Sequence, residues 1–154
     1  MNTVNLALSA PDIPSNALNS SKAYLFLLRT PGKVREKIIG CLVAQRIESA
    51  MQVATQEEIS ALDSPGSVLT HVEGNLYCKP ERLPTPMGIP RLFVSSAYRR
   101  RGVAQALLTA AARTFVHGCE LDPLKGEIAF SQPTSMGRAV MEKWGKGGVR
   151  IYEE

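Results

Sequence analysis

The chain has 154 residues, of which 44% are hydrophobic and 21% charged, and its net charge is +4. These values are ordinary for a single globular domain with a sizeable core, and no run approaches the roughly 18 apolar residues of a membrane-spanning helix. The mild positive charge is compatible with an anionic ligand but excludes a histone-like polycation. The three widely spaced cysteines predict reduced thiols rather than a disulfide framework: Cys41, Cys78 and Cys119.

The first half of the chain predicts a short N-terminal segment followed by a β-hairpin. Residues 1–20 are interpreted as the remnant of a helix from a longer protein and then a loop, because three apolar residues have helix-like spacing: Val4, Leu6 and Leu8. Two apolar runs of strand length, Ala23–Arg29 and Lys37–Ile47, flank the turn "TPGK" and predict paired strands. Residues 50–85 show little periodicity and are interpreted as a variable insertion with a short helix at most.

The second half predicts alternating strands and helices. Strands are expected at Gly88–Ser96, Gly126–Ser131 and Gly148–Glu154, and helices at about 102–117 and at Pro133–Trp144 with the proline in the first helical position. The first of these helices carries an apolar stripe made of Val103, Ala104, Leu107, Leu108, Ala111 and Phe115. The order of elements predicts an α/β fold, with a mixed twisted sheet and helices on both faces.

The segment between the central strand and its helix has the character of a phosphate-binding loop. Arg99, Arg100 and Arg101 are followed by Gly102 and then by helix. Glycine permits close approach of the backbone to a ligand, the free N–H groups of residues 100–105 can converge on phosphate oxygens, and arginine supplies charge and forked hydrogen bonds. A pyrophosphate fits this pattern, whereas neither a Walker loop nor a dinucleotide fingerprint is present. The alternative is a solvated basic turn.

Several motifs make the chain similar to a known family. The spacing Arg-x-x-Gly-x-Ala resembles the loop with which GNAT acetyltransferases hold the pyrophosphate of acetyl-coenzyme A. "GIPRLFV", "RRRGVA", "FVHG" and "EIAFSQPT", with Gly137 and a late tyrosine, resemble the sister-chromatid-cohesion acetyltransferases. The likeness extends over residues 21–154, which are interpreted as one GNAT domain, and is loosest across residues 50–85.

The resemblance implies a lysine N-acetyltransferase that uses acetyl-CoA, acts on the head domain of a cohesin ATPase subunit and works in the nucleus on chromatin. It implies cofactor contacts in three places: Leu92, Phe93 and Val94; Arg99, Arg100, Arg101, Gly102, Val103, Ala104 and Gln105; and Thr134, Ser135, Met136 and Gly137. Family members usually carry a zinc finger and often a segment that docks on the replication clamp, and neither motif is found in this sequence.

The group that deprotonates the acceptor lysine is left open by the sequence. Candidate catalytic residues are Glu127, the carboxylate nearest to the distinctive motif, and Ser131 with Gln132, which could orient a water or the incoming amine. Animal relatives have Asp at the position of Gln132 and Ser at that of Pro90. Alternatively, Glu127 is a surface charge and the Ser131–Gln132 pair is a polar helix cap. Backbone N–H groups near Val94 are expected to meet the oxyanion.

Two other functions remain open at this point. One is a GNAT enzyme that acetylates another amine, and the other is a non-enzymatic basic module that binds nucleic acid. The second has little support, since the aromatic platforms and distributed basic face of such modules are missing, and no direct nucleic-acid or membrane site is expected. No metal site is predicted, because His71 and His117 do not pair with closely spaced cysteines.

Overall fold

The computed structural model describes residues 12–32, 34–63, 65–131 and 133–154. In chain order their helices and strands are α1 (Ser15–Asn19), β1 (Ser21–Arg29), β2 (Glu36–Arg46), β3 (Ser49–Val53), α2 (Gln56–Ser60), β4 (Thr70–Glu73), β5 (Leu76–Pro84), β6 (Met87–Val94), α3 (Val103–Thr114), β7 (Ile128–Ser131), α4 (Ser135–Gly145) and β8 (Arg150–Tyr152). Short 3-10 turns lie at Ser96–Tyr98 and Pro123–Lys125. The predicted helical remnant around Val4 lies outside the described residues, and α1 falls in the segment predicted as loop.

The chain divides into two compact units. Unit 1 contains the described residues up to Arg46 together with Ile89–Leu121, and unit 2 contains Ile47–Gly88 together with Asp122–Glu154.

In unit 1 the predicted hairpin is confirmed. β1 and β2 pair antiparallel from Ser21 opposite Gln45 to Arg29 opposite Glu36, with an irregularity after Phe26. β2 lies between β1 and β6, and its residues 39–44 are all buried. A central strand covered on both faces is expected to be apolar without alternation, which is the pattern in the sequence.

Helix α3 packs closely on β2. Its buried residues are Val103, Leu107, Leu108, Ala111 and Ala112, and Phe115 just beyond its end is also buried, which confirms most of the predicted stripe. The contact with β2 is made at Gly40, where an added Cβ would lie 2.8 Å from Val103 Cγ1 and 3.1 Å from Leu107 Cδ1. A glycine here therefore lets the helix approach the sheet.

The C-terminal end of α3 is fastened to β1. Lys22 Nζ donates hydrogen bonds to the carbonyl oxygens of Thr114 at 3.3 Å and Phe115 at 2.7 Å. A cation at this end is stabilised by the helix dipole and by the unsatisfied carbonyl groups. The helix ends at Thr114, three residues before the predicted end.

Unit 2 contains a mixed sheet in the order β7-β8-β3-β5-β4. β7 and β8 are parallel, whereas β8–β3, β3–β5 and β5–β4 are antiparallel. Helix α4 connects the parallel pair, as a crossover must. Ala50, Ala129 and Tyr152 form a buried cluster with Ile47 packed against it.

The expectation that residues 50–85 contain at most a short helix is wrong. The predicted short helix exists as α2, which begins with a capping box between Thr55 and Glu58, but the same segment contains β3, β4 and β5. β5 alternates only at its start, and β3 has five residues, so neither strand has a strong period of its own. These segments form strands because they pair with other strands, such as β3 with β8. Such pairing is not visible in the periodicity of the sequence.

The predicted start of the last helix is also wrong. Pro133 is not the first helical residue, because Thr134 is the N-cap and its Oγ1 accepts a hydrogen bond from the Gly137 N–H at 3.2 Å. The threonine hydroxyl satisfies one of the free N–H groups in the first turn of the helix, which a proline side chain could not do. The helix ends at Gly145, and its C-cap Lys146 is left-handed with φ 47°.

Candidate active site

The segment after β6 forms a tight loop in unit 1. The Ser95 N–H donates to Ile39 O at 2.9 Å, the 3-10 turn follows, and the chain then turns through two left-handed residues, Arg100 with φ 59° and Gly102 with φ 80°. An added Cβ at Gly102 would have no protein atom within 4 Å. The backbone angle therefore favours glycine at this position, and the space beside it is open to a ligand.

Helix α3 begins at this loop without a side-chain cap for its first N–H groups. Its N-cap is Gly102, and no side chain makes a capping hydrogen bond. The first intrahelical bond runs from the Ala106 N–H to Gly102 O at 2.9 Å, so the preceding N–H groups, those of residues 103–105, have no carbonyl partner within the helix. The first turn contains no acidic residue, so this positive end can take an anion.

The three arginines differ in their local contacts. Arg99 Nε donates to Val94 O at 3.1 Å and so ties the loop to the end of β6. Arg101 stacks over the Tyr98 ring, with Cζ 5.7 Å from its centroid, and Lys37 approaches the same ring at 5.7 Å. All three arginines are exposed, and no carboxylate of the described residues forms an ion pair with them. Their charge is available to an anion.

The end of β6 is the second set of predicted cofactor residues. Leu92, Phe93 and Val94 are half-buried, and they precede the loop directly. The Val94 carbonyl is already the acceptor for Arg99. Their backbone contacts to a cofactor, and an oxyanion contact near Val94, stay predictions.

The third set lies at the start of α4 in unit 2. Thr134 caps the helix, Ser135 and Met136 are exposed, and Gly137 is half-buried. The N–H of Gly137 is taken by the Thr134 hydroxyl. These residues form the capped start of α4, and their role in cofactor binding stays a prediction.

The predicted catalytic residues are not all brought together. Glu127 precedes β7 and is half-buried, and its Oε2 accepts a hydrogen bond from the Asp122 N–H at 2.6 Å. Ser131 closes the same strand four residues later, which is about 13 Å away along an extended chain. That separation is beyond hydrogen-bond reach of one amine. Gln132 lies outside the described residues.

Ser131 has a partner that the sequence did not indicate. It is 8% exposed, and its hydroxyl donates to Glu154 Oε1 at 2.6 Å. The two residues are 23 positions apart, so no local sequence motif predicts their contact. Ser131 is therefore a strand-end residue rather than a helix cap.

Two of the three thiols are weakened as nucleophiles by burial. Burial raises the pKa of the Cys78 thiol to about 11 and also raises the pKa of Cys41. Cys119 is exposed. Among the residues that the structure describes, no group of three or more His, Cys, Asp and Glu side chains could hold a metal ion, and no helix is long and apolar enough to cross a membrane.

Comparison with solved structures identifies the fold. The xEco2 acetyltransferase domain aligns with a TM-score of 0.73 at 27% identity, covering 99% of this chain and 78% of that one. The same domain bound to a K105-CoA conjugate aligns with a TM-score of 0.74 at 24% identity, covering 99% and 80%. These matches confirm the predicted GNAT acetyltransferase fold.

Comparison with known sequences leads to the same family. Residues 83–152 match the family model of the ESCO1/2 acetyl-transferase. N-acetyltransferase ECO1 of Yarrowia lipolytica is 32% identical over 151 residues, covering 98% of this chain and 45% of that protein. N-acetyltransferase ESCO2 of Danio rerio is 33% identical over 137 residues, covering 89% and 21%. The chain thus spans less than half the length of both relatives. It belongs to the sister-chromatid-cohesion acetyltransferases, the family of ECO1 and ESCO2.

Proposed function

We propose that this chain is an acetyl-CoA-dependent lysine N-acetyltransferase that acts on the head domain of a cohesin ATPase subunit in the nucleus. The observation that carries the proposal is the loop of residues 99–105, in which an uncapped helix start meets three exposed arginines without ion pairs among the described residues. Family membership adds the reaction class, and the solved xEco2 domain bound to a K105-CoA conjugate adds the donor.

The residues of the loop fit the pyrophosphate of acetyl-CoA. The N–H groups of residues 103–105 supply hydrogen bonds at the positive end of a twelve-residue helix. Arg100 and Arg101 supply two positive charges, and Arg99 holds the loop against β6. Acetyl-CoA, when bound, supplies an acetyl group as a thioester, which an unprotonated amine can attack.

The acceptor lysine requires help from the protein. A lysine with a pKa of about 10.4 is almost wholly protonated at neutral pH, so a proton must leave before the amine can attack. Glu127 is already used by the Asp122 N–H, so we assign it a structural role in the turn before β7. Gln132 remains a candidate for orienting the amine, through its amide.

Ligand binding is tested by thermal unfolding with acetyl-CoA. The ligand should raise the melting temperature of the wild type by mass action. At 100 times its Kd it should add about 2.7 kcal/mol to the free energy of unfolding. The double variant Arg100→Ala/Arg101→Ala should lose most of this shift. Arg113→Ala is the matched control, because Arg113 is exposed in the same unit and pairs only loosely with Glu120 at 3.8 Å. An unchanged melting temperature of the wild type at millimolar acetyl-CoA contradicts the proposal.

Substrate class is tested by acetyl transfer to three acceptors. A purified cohesin head domain should be acetylated on lysine, whereas spermidine and free lysine should react far more slowly. Preference for spermidine would identify an acetyltransferase of another amine. DNA binding with a steep salt dependence, not displaced by coenzyme A, would identify a nucleic-acid module instead.

A further inference from the structure

We propose that unit 2 contains a second anion-binding site, a cavity that takes a phosphomonoester group and shares no residue with the loop of residues 99–105. The cavity has a volume of about 310 Å³, which is at the lower end of the range for small-ligand pockets. Its polar lining consists of Gln52, Lys125, Lys146 and Arg150. The inference does not depend on the proposed acetyltransferase activity.

Two backbone turns of unit 2 bring the lysines of this cavity together. One is the 3-10 turn Pro123–Lys125, and the other follows α4, where Lys146 is left-handed with φ 47°. The turns are in direct contact at Gly148, because an added Cβ there would overlap with the carbonyl oxygen of Pro123. This close contact places Lys125 and Lys146 on the rim of the same cavity.

Arg150 is held in a fixed position at the cavity. It is half-buried and lies opposite Gln52 in the β3–β8 pair. Its Nη1 donates to Pro84 O at 2.8 Å and to Thr85 Oγ1 at 3.0 Å. The rest of the guanidinium lies against Gly126, where an added Cβ would overlap with Nε and Nη2. Glycine at this position therefore leaves room for the guanidinium, whose Nε and Nη2 can donate to an anion in the cavity.

The cations of this cavity differ from most other cations of unit 2 in their ion pairs. Three cations outside the cavity are each paired with a carboxylate: Lys79 with Glu58, Arg82 with Glu153 and Arg138 with Glu142. Lys125, Lys146 and Arg150 form no such pair with any residue that the structure describes. Three positive charges are therefore available to a ligand in one cavity.

The carboxylates nearest to the cavity in sequence are bound to the backbone. Asp122 Oδ1 accepts a hydrogen bond from the Leu124 N–H at 2.9 Å, and Glu127 Oε2 accepts one from the Asp122 N–H at 2.6 Å. Neither carboxylate lines the cavity. A cation near the end of α4 also stabilises the helix dipole, but Lys143 in its last turn is placed for that role without lining the cavity.

The charge of the whole unit favours a compact anion over a polyanion. Unit 2 has seven lysines and arginines, two in residues 47–88 and five in residues 122–154, against eleven aspartates and glutamates, six and five in the same ranges. This excess of negative charge repels a nucleic acid along its length. A phosphomonoester carries close to two negative charges and three acceptor oxygens, which match three cations in one cavity. The group can belong to a small molecule or to a phosphorylated side chain of a protein.

Binding is tested by NMR titration of the full chain labelled with ¹⁵N. The probes are inorganic phosphate and a short uncharged peptide that contains one phosphoserine, and the same peptide without phosphate is the blank. Both probes should cause saturable shifts of the amide signals of Gly126, Gly147 and Gly148. The affinity for the phosphopeptide should rise as the pH passes about 6, where the group becomes a dianion. Tighter binding of the phosphopeptide than of inorganic phosphate identifies a phosphorylated protein as the source, and equal or weaker binding identifies a small phosphorylated molecule.

Charge removal at the cavity is compared with charge removal elsewhere in unit 2. Lys125→Gln/Lys146→Gln should weaken the Kd for the phosphopeptide by roughly tenfold. Lys79→Gln/Lys143→Gln removes the same number of charges outside the cavity and should change the Kd by less than about twofold. Equal Kd values in these two variants, or no saturable shift of the three glycine signals in the wild type, would overturn the inference. Arg100→Ala/Arg101→Ala should leave these shifts unchanged, so a failure of the cofactor loop and a failure of this site are distinguishable.

Discussion

Replacement of Gly102 by alanine is expected to separate the stability of the loop from its ability to bind a pyrophosphate. Gly102 has φ 80°, and an added Cβ would meet no protein atom within 4 Å, so the only cost to the free protein is backbone strain. That strain is about 1–2 kcal/mol for a residue other than glycine, and it is partly offset by about 0.4–1 kcal/mol from the stiffer unfolded chain. The net loss of roughly 1 kcal/mol should lower the melting temperature by about 2–4 °C for a chain of this length.

The effect on ligand binding should be larger than the effect on stability. The new methyl group would occupy the open space beside the loop where a phosphate must approach, and we expect at least a tenfold weaker Kd, or about 1.4 kcal/mol. At an acetyl-CoA concentration of 100 times the wild-type Kd, stabilisation should fall from about 2.7 to about 1.4 kcal/mol. The assay is thermal unfolding with and without acetyl-CoA.

Gly118→Ala provides the matched control. Gly118 lies in the same unit with φ 71°, and its added Cβ also meets nothing within 4 Å, so it should show the same small loss of stability and the full shift with acetyl-CoA. If Gly102→Ala keeps the same ligand-induced shift as Gly118→Ala, the pyrophosphate does not bind at this loop.

Three further predictions concern stability and thiol chemistry. Leu108→Ala, at a position with no exposed surface, should lower the free energy of unfolding by about 2–5 kcal/mol in a urea titration. The hydrogen bond from Lys79 lowers the pKa of Glu58. The ionised carboxylate therefore stabilises the fold above its unfolded pKa, and this contribution is lost as the pH falls through the folded pKa. Glu58→Gln should slightly destabilise the protein at pH 7 but not at pH 2. Because burial raises the pKa of Cys78 to about 11, a disulfide reagent at pH 8 should label the exposed Cys119 quickly, and Cys78 only after unfolding.

Unit 1 could be predicted from its sequence because its signals are local. β2 is a continuous apolar run, and α3 has its apolar residues three and four positions apart. The local pattern of each element therefore predicts whether it is a strand or a helix. The loop that begins with Arg99 is read in the same way, since the charges and the left-handed Gly102 are adjacent in the chain. Arg100, whose φ is also positive, could not be recognised because arginine carries no signal for that conformation.

Unit 2 was predicted less well because its structure depends on distant partners. β3 is a strand because Met51 pairs with Arg82 on one side and Ile151 on the other, which no window of sequence contains. The pairing of Ser131 with Glu154 has the same origin, since it requires the parallel register of β7 and β8. Motif matching could identify Ser131 but not its hydrogen-bond partner, Glu154.

The position of β8 has a consequence for how the protein is made. β8 lies between β7 and β3 in the sheet of unit 2, and its Ile151 pairs with Met51, a residue translated 100 positions earlier. At roughly 5–20 residues per second, the ribosome needs about 5–20 s to cover that distance. Throughout this interval the edge of β3 that β8 will cover is unpaired, and an unpaired edge is the kind of surface that pairs with other chains. Unit 2 is therefore the part of the nascent chain that should depend most on chaperones, and slowing translation over its last twenty codons should increase aggregation.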